Sequence, residues 1–174
     1  GKKISNYKYE ELSTAKARHT FLQFWAMYYC ALGDYKKYLE WADKKLDFVK
    51  NEPHPKTVTN WLVLGYNHCL SASLLTNDFS EFENRLKFLE GMEFQSQFHD
   101  ADRFQTVSIF PLLYYMRQND KKKIEYYIEY SENGLDRLAP FISKAFTYML
   151  RTCVSYAYLK LGKLDDCVRE VNDL

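Results

Sequence analysis

The densest gathering of acid–base and metal-ligand side chains is His99-Asp100-Ala101-Asp102. One imidazole and two carboxylates in four residues could begin a metal site. The same residues open a helical pattern, where Asp favours capping and the helix dipole, so no metal is expected there. His68-Cys69 sets an imidazole beside a thiol, the pairing a cysteine nucleophile needs. Adjacent residues on a helix point in different directions, so these two cannot act on one another. His19 and His68 both lie among aromatic residues and read as packed histidines. Glu125 and Glu129 share a helix face as an acid–base pair would, yet fit solvated surface charge better. The one basic run, Lys121-Lys122-Lys123, opens a helix and reads as a solvated start rather than a phosphate site. The sequence holds no Gly-rich phosphate loop and no GxSxG elbow. The expectation is a protein without catalytic residues, cofactor or metal.

Composition narrows the class. The chain has 174 residues, 47% hydrophobic and 27% charged, enough for one core or the seam of a small helical array. The net charge is +1 with signs mixed, against the sustained Lys/Arg excess of a nucleic-acid binder. The apolar run around Phe21 to Leu32 is interrupted by Gln23 and too short to cross a bilayer, so neither a membrane span nor a signal peptide is expected. Cys30, Cys69, Cys153 and Cys167 form no CxxC pair, which suits a reducing, cytoplasmic setting. Gly (6) and Pro (4) are scarce, which favours long helices over many turns.

The elements that would position any site follow from a repeated break. Leu32-Gly33-Asp34-Tyr35 has near-copies at Thr76-Asn77-Asp78-Phe79, Gln118-Asn119-Asp120-Lys121 and Leu161-Gly162-Lys163-Leu164. Their second residues fall at 33, 77, 119 and 162, at spacings of 44, 42 and 43. A constant step of this size marks a helical repeat array. Mostly apolar residues recur on both sides of each break: Tyr29, Ser73, Tyr115 and Tyr158 before it, then Tyr38, Phe82, Ile124 and Cys167 after it, then Ala42, Leu86, Ile128 and Val171. A lone hairpin cannot bury both stripes, so neighbours must stack. The reading is all-α, one domain over 1–174 built from hairpins at about 12–51, 56–91, 101–135 and 140–174. Finer expectations accompany it. Helix one starts near Leu12. Asn51-Glu52-Pro53-His54-Pro55 breaks the chain. Pro111 kinks or splits helix five, which starts near Ala101 after a link from Met92 to Asp100. Asn133-Gly134 stops helix six, and Pro140 opens helix seven. The eighth helix still runs at Leu174, so its face with Val168 and Val171 is expected to need cover from a further hairpin or a second copy.

Leu32-Gly33-Asp34-Tyr35, with Tyr38, Leu39 and Ala42 beyond, resembles the turn and second helix of a tetratricopeptide repeat. Tyr156-Ala157-Tyr158-Leu159-Lys160-Leu161-Gly162-Lys163-Leu164-Asp165-Asp166-Cys167 resembles the same motif, and Trp25, Tyr29 and Tyr158 fall where that family prefers such residues. The step departs from the family's period of about 34 residues. Ala26, Leu70, Leu112 and Ser155 stand where the family has a helix-A glycine. The resemblance implies a right-handed α-solenoid whose first helices line a groove for a protein or peptide. Carried over position by position, it implies groove residues Thr20, Gln23 and Met27, then Leu64, Asn67 and Ser71, then Thr106, Ile109 and Leu113, then Met149, Thr152 and Tyr156. Arg117 and Lys160 lie just before their turns on the same side. The family's Lys/Asn clamp for a terminal carboxylate is absent. The alternative is a ligand- or peptide-sensing regulatory domain of a larger bacterial transcription or signalling protein, since longer-period arrays of this kind occur there.

Overall fold

The computed structural model describes residues 8–52, 55–94 and 96–172, the stretch 55–59 by its backbone only. Tyr7, Pro53, His54 and the last two residues, on which some sequence expectations fall, lie outside the described set. Among the described residues there are eight α-helices and no strand: α1 (Ala15–Ala31), α2 (Tyr35–Lys50), α3 (Pro55–Thr76), α4 (Phe82–Glu90), α5 (Gln97–Gln118), α6 (Lys121–Leu138), α7 (Lys144–Leu161) and α8 (Leu164–Asn172). None is long and apolar enough to cross a membrane.

The repeated break is a left-handed turn at all four places. Gly33, Asn77, Asn119 and Gly162 have φ of 73°, 57°, 55° and 77°, and no other described residue has positive φ. Gly takes this conformation without a Cβ penalty, and Asn tolerates it. At three turns the next N–H reaches back across the helix end: Asp34 to Tyr29 O (3.0 Å), Asp120 to Tyr115 O (3.1 Å) and Lys163 to Tyr158 O (3.0 Å). That is the Schellman closure of a helix C-terminus. The same aspartates then start the next helix, Asp34 Oδ1 accepting from Lys37 N and Asp120 Oδ1 from Lys123 N. Asp78 instead accepts from the backbone and hydroxyl of Ser80, and α4 begins a turn later than its pattern suggests.

The packing divides the chain into two compact units, Gly1–Arg85 and Leu86–Leu174. In the first, α1 and α2 form a hairpin and α3 packs on α2. Ala26, Tyr38 and Ala72 meet at its centre, with Tyr29, Leu39 and Trp41 around them. In the second, α5 pairs with α6 and α7 with α8, while α7 also packs on both α5 and α6. The apolar columns bury as their period demands at Tyr38, Phe82, Ile124, Ala42, Leu86 and Ile128. In the last hairpin they do so less: Cys167 is only half-buried and Val171 is 52% exposed, with Leu164 and Val168 beside them 62% and 51% exposed.

Several local expectations are corrected. Thr14 caps α1 by accepting from Ala17 N, so the helix starts after Leu12, whose carbonyl accepts from Arg18 instead. α5 begins at Gln97, which turns much of the anticipated link into helix and leaves Phe98 exposed. Pro111 does not split α5. It is buried within one continuous 22-residue helix, and the Ser108 hydroxyl donates to Phe104 O in the turn before it. Pro140 sits in a short 3-10 turn, Ala139–Phe141, and Ser143 caps α7 by accepting from Phe146 N. α6 does not stop at Asn133-Gly134 but continues to the buried Leu138. Gly134 is needed there for space: a Cβ would lie 1.9 Å from Cε2 of the fully buried Phe104 of α5. Gly134→Ala is therefore expected to destabilise the second unit by about 1–3 kcal/mol. Denaturant unfolding followed by circular dichroism checks this, and Phe104→Leu should relieve part of the penalty.

Candidate functional site

Two places concentrate polar side chains on packed helices. The first is a cleft of about 350 Å3 in the second unit, lined by Leu113, Met116 and Arg117 of α5, Asn119 of its turn, and Tyr156 and Lys160 of α7. Because α5 and α7 pack directly, residues near their C-terminal ends converge across one seam. Leu113 is half-buried and Met116 buried, while Arg117, Asn119, Tyr156 and Lys160 are exposed. The Lys160 ammonium lies 5.9 Å from the Tyr156 ring centre. The cleft thus combines an apolar floor, one aromatic ring, an amide and two cationic heads. Tyr148, Met149 and Thr152 continue the exposed stripe of α7 toward its start. Thr152 donates to Tyr148 O along its own helix.

The second is a buried polar chain in the first unit. Lys45 lies on α2 in line with Tyr38, Ala42 and Val49, and is fully buried. Its ammonium donates to Gln23 Oε1 of α1. The Gln23 amide must then turn its Nε2 to His68 Nε2, 2.9 Å away, which therefore accepts. The His68 proton sits on Nδ1 and is donated to the Tyr38 hydroxyl at 2.8 Å. Each donor has one acceptor only if His68 is neutral. Burial, and then the charge of Lys45, push its pKa down to about 3. Burial likewise lowers Lys45 to about 8. Burial and then Lys45 lower His19, stacked on Trp61 at 4.2 Å, to about 4.

The residues the sequence assigns to a groove therefore separate. Leu113, Arg117, Tyr156 and Lys160 border the cleft, with Thr152 a turn away. Gln23 is half-buried and engaged in the internal chain, and Ser71 is half-buried. Met27 is 48% exposed, and Asn67 is half-buried. Thr106 and Ile109 are buried in the packing of α5. Asn119 and Met116 join the cleft unannounced, although Asn119 was visible as a turn residue. Lys45 was also visible in principle: it falls seven residues after Tyr38, squarely on the buried stripe of α2.

The other chemistry-bearing residues are placed as follows. Asp100 accepts from Arg103 and Arg137, both at 2.6 Å, and no metal-binding cluster occurs among the described residues. Cys69 donates to Asp43, which also pairs with Arg85 at 2.7 Å, while His68 turns to Tyr38 and Gln23. Burial raises the Cys69 pKa above its ordinary value. Glu125 pairs with Lys163 at 2.8 Å. No family model matches the chain, and no curated protein and no solved structure matches it significantly.

The buried chain makes the first unit sensitive to pH. His19 and His68 bind protons more weakly folded than unfolded, so stability they contribute is present above about 6.5 and lost as pH falls toward 4 and 3. Lys45 acts in the same sense, and stability should rise between about pH 8 and 9, before the buried Cys69 thiol and then the buried tyrosines, all held above their ordinary pKa by burial, begin to oppose it. All three tryptophans, Trp25, Trp41 and Trp61, lie in this unit, so their emission reports its unfolding. Lys45→Met is expected to raise the denaturation midpoint at pH 7 and to remove the rise above pH 8.

Proposed function

We propose that the chain is a non-catalytic scaffold of tetratricopeptide-like hairpins, stacked as a right-handed α-solenoid, that binds a protein or peptide partner in the cytoplasm. The observation that carries this reading is the common cleft bordered by Leu113, Arg117, Tyr156 and Lys160. These residues come from two successive first helices, where the resemblance puts a groove. The left-handed turns at a step of 42 to 44 residues support the repeat, and the four free thiols suit a reducing compartment. The cleft's composition favours an extended segment that offers an apolar side chain to Leu113 and Met116 and an acidic one to Arg117 and Lys160. An exposed Tyr beside Arg is a common anchor in such contacts.

Panning a random peptide library against the full chain tests the proposal. Enriched peptides should pair an acidic with an apolar residue. Tyr156→Ala and Arg117→Ala should each weaken the best peptide about tenfold without changing the circular dichroism. Absence of enrichment, or enriched peptides whose affinity is indifferent to Tyr156, Arg117 and Lys160, would refute it.

A further inference from the structure

A cleft of about 470 Å3 in the first unit has none of the groove residues in its walls. Tyr9, Glu10, Leu22, Trp41, Lys44, Asp47, Phe48 and Asn51 border it. Three of these are aromatic and come from two separate segments, the short 3-10 turn Tyr9–Glu11 and α2. Tyr9 and Phe48 stand nearly perpendicular, at 88°, with ring centres 6.4 Å apart. Phe21 of α1 braces the arrangement, 6.1 Å from both Tyr9 and Trp41. Leu22, another wall, is buried, whereas the carboxylates of Glu10 and Asp47 are exposed.

The chain's own cations already use these rings. The Lys44 ammonium lies 4.6 Å from the Trp41 ring centre and the Arg18 guanidinium 5.8 Å from Tyr9. A cation is drawn to the negative face of an aromatic ring, most strongly with Trp. An ammonium bearing N–H groups would lose hydrogen bonds against walls of rings and Leu22. A quaternary or fully methylated ammonium has none to lose. It keeps the attraction of the ring faces, and Glu10 and Asp47 add favourable charge nearby.

From this geometry we infer that the Tyr9–Trp41–Phe48 cleft is a binding site for a methylated ammonium group. Lys44 acts there as an internal competitor, a tethered ammonium resting on the best ring. Its exposed head can swing to water when a better-suited cation arrives. The methylated group could be carried by a small free cation or by a trimethyllysine side chain, since both present the same head.

Saturation-transfer NMR on the methyl signal of tetramethylammonium, added to the full chain at constant ionic strength, tests the site. Saturable binding is expected, with sodium and ammonium ions failing to compete at equal concentration. Trp41→Leu should weaken it about tenfold, and Asp47→Asn, at an exposed position, should weaken it less. Lys44→Ala should tighten it, a gain that misfolding cannot imitate. A trimethyllysine peptide that binds more tightly than tetramethylammonium assigns a side-chain ligand, and parity assigns a free cation. No saturable binding, or binding unchanged by both Trp41→Leu and Lys44→Ala, overturns the inference.

Discussion

The left-handed residue at the end of every first helix is the constraint from which the remaining structure follows. A helix that continued through residue 33, 77, 119 or 162 would send its apolar stripe away from the next one. Reversal lets α1 pack on α2, α5 on α6 and α7 on α8, and at residues 33, 119 and 162 the Schellman bond from the following residue satisfies carbonyls the helix end would leave open. The next residue then supplies the cap for the second helix at Asp34 and Asp120. Termination and initiation are thus joined in two residues, and little loop remains to vary.

That economy explains why the order of helices was legible from the sequence. Gly-Asp and Asn-Asp carry their conformational meaning locally, and the apolar periodicity on both sides needs no long-range information. The misread boundaries have the opposite character. Asn133-Gly134 resembles a stop by composition, but its glycine answers to Phe104, some thirty residues earlier in the chain. Pro140 suits a helix start by itself, yet Ser143 offers the better cap. Pro111 survives inside α5 because it is buried against neighbours whose packing outweighs one lost backbone bond.

The candidate sites were less legible, for a physical reason. A groove position is fixed by which face the next helix covers, and that depends on packing angles that a single stripe does not encode. Leu113 and Tyr156 reach a common cleft, whereas Thr106 and Ile109, two turns and one turn before Leu113, are covered. Lys45 shows the limit in another form. Its spacing marked it as buried and its charge argued against it. The amide of Gln23 and the neutral ring of His68 reconcile the two. Such a chain specifies its partners strictly, because each donor finds its acceptor in only one arrangement of α1, α2 and α3.

The account rests on one claim, that a left-handed turn ends a helix at each step of about 43 residues. Backbone chemical shifts and residual dipolar couplings at Gly33, Asn77, Asn119 and Gly162 test it most directly. The account predicts positive φ at all four, with uninterrupted helix on both sides of each apart from the short Asx turn that follows Asn77. Right-handed shifts at Asn77 or Asn119, with helix running through the turn, would contradict it.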